Sequence, residues 1–179
     1  MSKKYLCSAL LLTAIASIGN ADVCKFLPGS VTCGEGIING LSGNGAVIVH
    51  GTVIKGLTSV NGMLNAKNAE FNALHVNGSV EIEQCLVNDS SDIKGTLHAS
   101  ASKFLNSIEV YSNETKFFDS SVNGNLHINH TNHQKQKVYL SGNSEVLGDI
   151  IFDDGNGEVI VKGAAKISGK IVGGNLINK

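Results

Sequence analysis

The feature that most constrains this chain is a short pattern that recurs along its length. A β-branched residue is followed by one variable residue, a glycine, a second variable residue and an apolar residue, as in Val60-Asn61-Gly62-Met63-Leu64. Because internal repetition is the signature of stacked equivalent units, the chain is predicted to be a repeat protein. The pattern contains no catalytic group, and its seven copies are centred on Gly51, Gly62, Gly78, Gly95, Gly124, Gly148 and Gly169.

The spacing of the glycines indicates the size of one unit. Gly62, Gly78 and Gly95 are 16 and 17 residues apart, and segments such as Asn125-Leu126-His127-Ile128 alternate polar and apolar side chains. This alternation predicts short strands with one buried face. A unit of this length holds a few strands and their corners. We therefore predict an all-β, single-stranded parallel β-helix, with right-handed coiling favoured.

An antiparallel sandwich or meander is the alternative fold. Asn-Gly pairs between alternating segments are a hairpin signal. The residue before the glycine, however, is also Lys94, Leu147 or Ser168, and these types tolerate a tight hairpin turn badly. A bend with one left-handed residue, at the glycine, fits all seven copies and is expected between the strands of a parallel β-helix.

The glycine-punctuated strands resemble those of a known family. The tail contains Val146-Leu147-Gly148-Asp149-Ile150 and Ile167-Ser168-Gly169-Lys170-Ile171, and the pattern spans roughly residues 45–175. It resembles the bactofilins, which are bacterial scaffold proteins that form polymers from small right-handed β-helices. The resemblance implies a fold and not a catalytic activity. Bactofilins are typically cytosolic, so the layout is closer to uncharacterised exported β-helix proteins of Gram-negative bacteria.

The first 21 residues predict export. Two lysines precede an uncharged apolar run from Leu6 to Ile18, and small residues end at Ala21, as in a cleaved secretory signal peptide. The run is too short for a comfortable membrane span, and no integral membrane segment is expected after cleavage. The expected domains are the signal peptide (1–21), an N-terminal cap (22–44) and the β-helix (45–179).

Two of the cysteines lie close together in the predicted cap. Cys24 and Cys33 are nine residues apart, and in an oxidising compartment we expect them to form a disulfide that staples the cap over the open end. Cys85 is left without a partner. A lone cysteine of this kind is predicted to be a small core residue, with an intermolecular bridge or a reactive thiol as the alternatives.

The charged residues argue against several functions. All 14 basic residues are lysines, against 15 acidic residues. Because arginine is the usual residue for phosphate and base-edge recognition, no nucleic-acid partner is expected. No catalytic or phosphate-binding motif is present, so no enzymatic activity and no cofactor are expected. The best candidate for a carboxylate cluster is Asp89, Asp92 and Asp119, if adjacent turns bring them together.

Three histidines are the candidate metal ligands, namely His127, His130 and His133. A spacing of three suits a helix, whereas His127 belongs to a predicted strand, so a solvated face followed by a polar loop is favoured over a metal site. Leu-His-apolar segments recur at His75 and His98. This recurrence predicts an outward-facing column of His75, His98 and His127.

The combined interpretation is an exported, non-enzymatic scaffold in the periplasm, at the cell surface or outside the cell. Such a rigid solenoid would associate through its ends into a homo-oligomer or polymer, or bind an envelope or extracellular partner along one face. Two alternatives stay open. One is a carbohydrate-binding or carbohydrate-active β-helix on envelope glycan, and the other is a secreted factor that acts on a host cell.

Overall fold

The computed structural model describes residues 22–129 and 134–178, which form a β-solenoid of about nine turns without a helix. Among these residues, therefore, no helix is long and apolar enough to cross a bilayer. The strands are β1 (Cys24–Leu27), β2 (Ser30–Cys33), β3 (Gly36–Ile38), β4 (Leu41–His50), β5 (Thr52–Lys67), β6 (Glu70–Glu83), β7 (Leu86–Val87), β8 (Ser91–Lys94), β9 (Leu97–Ser100), β10 (Lys103–Phe104), β11 (Ile108–Tyr111), β12 (Glu114–Phe118), β13 (Ser121–Val122), β14 (Leu126–Ile128), β15 (Lys137–Ser141), β16 (Glu145–Val146), β17 (Ile150–Phe152), β18 (Gly157–Val161), β19 (Lys166–Ile167), β20 (Ile171–Val172) and β21 (Gly174–Asn178).

The turns of the solenoid stack to form three faces. Face 1 contains β2, β9, β12, β15, β18 and β21 with the last residues of β4, β5 and β6. Face 2 contains β3, β7, β10, β13, β16 and β19 with the first residues of β5 and β6. Face 3 contains β8, β11, β14, β17 and β20 with the first residues of β4 and the middle of β5 and β6. All these pairings are parallel, so the predicted parallel β-helix is confirmed and the antiparallel alternative is wrong.

Successive turns are in register at the period that the glycines indicated. Asn61 pairs with Asn77, and Asn77 pairs with Lys94, at offsets of 16 and 17 residues. Since each strand pairs with its counterpart in the next turn, side chains of one kind line up along the axis.

The period lengthens towards the C-terminus mainly through two insertions at the corner between face 3 and face 1. The first lies between Asn129 and Gln136 and includes residues 130–133, which are outside the described part of the chain. The side-chain amide of Gln136 donates a hydrogen bond of 2.7 Å to the Asn129 carbonyl. The second insertion follows Phe152 and ends at Gly157, where β18 begins.

The core consists of columns in which each apolar side chain packs on its counterpart one turn away. On face 2, Phe71, Val87, Phe104 and Val122 follow one another in register, and all four are fully buried. The ring of Phe104 also meets that of Phe117 edge to face, with centroids 6.1 Å apart. Burying each such side chain contributes about 1.5–3 kcal/mol, so these columns supply the main driving force for stacking.

The seven repeated glycines occupy three different corners. Gly51 lies between faces 1 and 2, the next three between faces 3 and 1, and the last three between faces 2 and 3, namely Gly124, Gly148 and Gly169. The expected left-handed bend at all seven is wrong, because φ is positive at the first four and not at the last three. At the last three glycines, the backbone instead lies very close to the preceding turn. A Cβ added at Gly148, for example, would lie 2.5 Å from the Gly124 carbonyl oxygen.

The corner between faces 1 and 2 is the one with a left-handed backbone in turn after turn. The φ angle is 69° at Gly51 and lies between 46° and 53° at Asn68, Gln84, Ala101 and Asp119. Each of these residues also donates its N–H to a carbonyl of the next turn, as Gln84 does to Ser100 over 3.0 Å. The inter-turn hydrogen bonds offset a backbone strain on the order of 1–3 kcal/mol per non-glycine residue.

The N-terminal end is closed by a hairpin. Strand β1 runs antiparallel to β2, and Cys24 lies opposite Cys33 and forms the predicted disulfide with it. The carbonyl of Gly29, in the hairpin turn, accepts a 2.9 Å hydrogen bond from the Ala46 N–H of the next turn. Strands β2 and β3 already pair in parallel with the turn that follows, so stacking begins at Ser30, within the segment predicted as the cap.

Substituting Gly78 by alanine tests the close approach of the turns. The new methyl group would lie 1.8 Å from the Gly62 carbonyl oxygen, on a backbone with φ of 145°. We expect the free energy of unfolding in urea to fall by roughly 2–4 kcal/mol. Gly34→Ala is the matched control, since no atom lies within 4 Å of its added Cβ. Equal stability of the two variants would contradict the role assigned to Gly78.

Removing the disulfide is expected to loosen one end of the molecule. Because each turn contacts only its neighbours, the loss of roughly 2–4 kcal/mol acts on β1 and the first turn. In hydrogen–deuterium exchange, the Cys24→Ser/Cys33→Ser variant is expected to exchange faster in residues 22–33 and at an unchanged rate in residues 108–128. Equal acceleration in both segments would refute this local effect.

Candidate functional site

The histidines do not form the predicted column. His75 and His127 share one outward column on face 3, but Asp92 and Glu109 occupy the two turns between them. His98 lies on face 1. The prediction failed because the Leu-His-apolar segment has the same alternation on either face. His130 and His133 lie outside the described residues.

The face 3 column aligns imidazoles and carboxylates without gathering them around one point. The Nδ1 atom of His75 is 3.3 Å from Oδ2 of Asp92. Within residues 22–129 and 134–178, no three histidine, cysteine, aspartate or glutamate side chains converge in a way that could hold a metal ion. For the described histidines, the column is therefore a row of solvated surface side chains.

The three aspartates of the carboxylate hypothesis lie on separate parts of the solenoid. Asp92 belongs to face 3, whereas Asp89 lies at the corner between faces 2 and 3 and accepts a 3.3 Å hydrogen bond from the Asn106 amide. Asp119, at the left-handed corner, accepts a 2.8 Å hydrogen bond from the N–H of Asn143. The two corner carboxylates tie one turn to the next, so the hypothesis of a shared site is wrong.

Cys85 belongs to a ladder of hydroxyl groups inside the corner between faces 1 and 2. The hydroxyl of Ser102 donates to the Ser100 carbonyl over 2.8 Å and accepts a 3.1 Å hydrogen bond from the N–H of Cys85. The Cys85 thiol makes the contact equivalent to that of the Ser102 hydroxyl, because it donates to the Glu83 carbonyl over 3.3 Å. Burial raises the pKa of this thiol. The predicted core role of Cys85 agrees with its burial, and the sequence did not reveal the ladder.

The two ends of the solenoid present different edges. At the N-terminal end, β1 is the outermost strand of face 1, and Phe26 on it is 65 % exposed. At the opposite end, β19, β20 and β21 each pair on one side only within the described part of the chain. Leu176 continues the buried column of Val138 and Val159, yet it is 50 % exposed. Within residues 134–178, these last strands therefore leave one edge unpaired around the rim of the core.

Face 1 also carries a concave surface of about 600 Å³ over its middle turns. In one outward column, Phe118 lies between Ser100 in the preceding turn and Ser141 in the following one. The Phe118 side chain is 52 % exposed, whereas its neighbour Phe117 is buried in the core. A half-exposed aromatic ring flanked by two hydroxyl groups can contact both apolar and polar parts of a ligand.

The adjacent outward column of the same surface is polar and aromatic. Lys116 lies between His98 and Tyr139 in register. Its ammonium group is 5.7 Å from the centroid of the Tyr139 ring and forms an ion pair with Glu114. A second ion pair, between Lys67 and Glu83 at 2.8 Å, lies at the margin of the concavity. The surface thus presents aromatic and hydroxyl groups, and its remaining charged groups, Glu81 and Lys162, are of opposite sign.

Sequence reasoning missed this surface, although one signal was available. Glu114-Thr115-Lys116-Phe117-Phe118 contains two adjacent phenylalanines in a strand. Because consecutive side chains of a strand point to opposite sides, one of the two rings must face outward. The pairing of turns that places serines beside that ring is not readable from the strand alone.

Comparison of the chain with known protein families, with characterised proteins and with solved structures finds no match. The solenoid layout does not by itself identify a bactofilin-like family, so function must be inferred from the geometry of the chain itself.

The buried thiol gives a pH dependence that can be measured. Because the pKa of Cys85 is higher in the folded chain than in the unfolded one, the neutral thiol contributes stability that is complete below the unfolded pKa of about 8.5 and is lost as the pH rises through the folded value. Between about pH 8 and pH 10, the thermal midpoint of the native chain should fall further than that of Cys85→Ser, which keeps the ladder. Identical pH profiles would contradict this account.

Proposed function

We propose that this protein is an exported, non-catalytic scaffold: a rigid β-solenoid rod that associates with further copies of itself end to end. The observation that carries the proposal is the open strand edge of the last described turn, with the core rim exposed at Leu176. Unpaired N–H and C=O groups on such an edge favour pairing with a strand of another chain. A second copy offers β1 at its own N-terminal end, a strand of similar length that would pair with β21 in the antiparallel direction.

The edges of the two ends favour head-to-tail association. Strand β21 has five residues and would lie against β1 of the next copy, which has four. This contact would bring the exposed side chains of Leu176 and Phe26 into one interface. Burying them contributes about 25 cal/mol per Å² of apolar surface, in addition to the new hydrogen bonds between strands.

Charge also favours head-to-tail over tail-to-tail contact. The described residues from position 162 onwards contain Lys162, Lys166 and Lys170 and no acidic residue. The first described residues, 22–40, contain Asp22 and Glu35 against one lysine. Tail-to-tail contact would place like charges together, whereas head-to-tail contact avoids this repulsion.

The proposed location outside the cytoplasm is supported by the disulfide. Structural disulfides persist in oxidising compartments such as the periplasm and the extracellular space. The Cys24–Cys33 bond closes the first hairpin and is consistent with that environment. The proposed absence of catalysis is supported by the dispersal of the aspartates and by the burial of the Cys85 thiol, whose raised pKa makes it a poor nucleophile.

Sedimentation velocity of the purified exported protein over a series of concentrations tests the association. We expect the average sedimentation coefficient to rise with concentration, and electron microscopy to show rods that are longer than one solenoid. A single monomeric species at all concentrations would refute the proposal.

Leu176→Asp is the variant that targets the open end. It places a charge on the rim of the core and is expected to abolish the assemblies. Leu147→Asp is the matched control, because Leu147 is 45 % exposed at a lateral corner and belongs to neither end. Loss of assembly in both variants would show that the association runs through the sides of the rod.

A further inference from the structure

We propose that the concave surface of face 1 is a binding site for a neutral oligosaccharide. The site consists of an array of outward side chains from three consecutive turns, in two columns: His98, Lys116 and Tyr139, and Ser100, Phe118 and Ser141. This inference is independent of the end-to-end association, because the array lies on the side of the rod.

The dimensions of the array suit a chain of sugar rings. Neighbouring turns are about 4.8 Å apart, and side chains two residues apart on one strand are separated by about 6.6 Å. The concavity of about 600 Å³ falls within the range of ~300–1,000 Å³ that is usual for small-ligand sites. An oligosaccharide lying across the turns would meet one pair of side chains in each.

The chemistry of the array favours sugars over charged ligands. A sugar ring has an apolar C–H face, which packs on an exposed aromatic ring, and a rim of hydroxyl groups. Phe118 offers the aromatic face, and Ser100 and Ser141 lie one turn to either side of it. His98 and Tyr139 add polar groups that can donate or accept hydrogen bonds.

The charges of the surface also favour an uncharged ligand. Lys116 is paired with Glu114, and Lys67 with Glu83. Lys162 and Glu81, which also line the concavity, carry opposite charges. Because these charges balance, the surface lacks the cationic excess that a phosphate ligand requires and the anionic excess that a cation requires. A ligand that carries many hydroxyl groups and no net charge is the chemical class that remains.

The test is calorimetric titration of the full exported protein with cellotetraose, maltotetraose and chitotetraose, and with a soluble, uncharged peptide of alternating serine and valine. We expect saturable binding by at least one of the three sugars, with NMR shifts confined to residues 98–141 of face 1. If no sugar saturates, or if only the peptide binds, the proposal is overturned.

Phe118→Ala locates the site. Because it removes the aromatic platform, we expect the affinity for the sugar to fall at least about tenfold. Leu57→Ala is the matched control: Leu57 is 54 % exposed on face 3 and should bind as the native chain does. Thermal unfolding of each variant checks the fold, and Tyr139→Phe provides a second probe that keeps the ring and removes one hydroxyl. Unchanged affinity in both Phe118→Ala and Tyr139→Phe would overturn the proposed site.

Discussion

The structure depends on the parallel stacking of successive turns at the spacing of β-strands. At that spacing each core side chain packs on its equivalent above and below, and each backbone N–H finds a carbonyl in the adjacent turn. The same closeness excludes a Cβ at several corners, where the backbone of one turn rests against the next, as at Gly62 and Gly78. The burial of the core, the hydrogen bonds between turns and the positions of the glycines all follow from this one spacing between turns.

The corners of the solenoid differ in whether they can accept a residue with a side chain. Between faces 1 and 2, the polypeptide adopts left-handed φ angles at the non-glycine residues Gln84 and Ala101, whose N–H groups bond to carbonyls of the next turn. Between faces 2 and 3, the φ angles are ordinary, yet Gly148 and Gly169 lie against a carbonyl oxygen. Glycine is thus required where the backbone of one turn rests against the next, and a left-handed φ angle alone does not require it.

This difference explains how much of the fold and of the candidate site was predictable. The parallel solenoid, its period and the Cys24–Cys33 disulfide follow from local patterns, which the sequence contains directly. The corner of each glycine and the face of each histidine depend on how many residues separate consecutive strands. One additional corner residue moves a segment to a different column, so His98 and His127 look equivalent in sequence and lie on different faces. Phe118 was readable as an outward ring, but its serine neighbours come from turns 18 and 23 residues away.

The proposed scaffold role and the proposed sugar site would place different demands on the same rod. Association at the ends would use backbone edges, for which the side-chain type matters only through charge and through the rim of the core. Recognition on face 1 would use side chains on strands that are paired on both sides, as β12 with Phe118 is paired with β9 and β15. Neither use would require the solenoid to change shape, since both rely on groups that the stacked turns already expose.

The insertions between Asn129 and Gln136 and between Phe152 and Gly157 lie at the same corner in consecutive turns, and the side-chain amide of Gln136 bonds to the carbonyl of Asn129 across the first. The strands that flank both insertions stay in register with their neighbours. A tag, an epitope or a spectroscopic label grafted into either insertion would therefore leave the hydrogen-bond ladders undisturbed. Earlier turns offer no such attachment point at this corner, because Gly62 and Gly78 lie against the backbone of the turn before them.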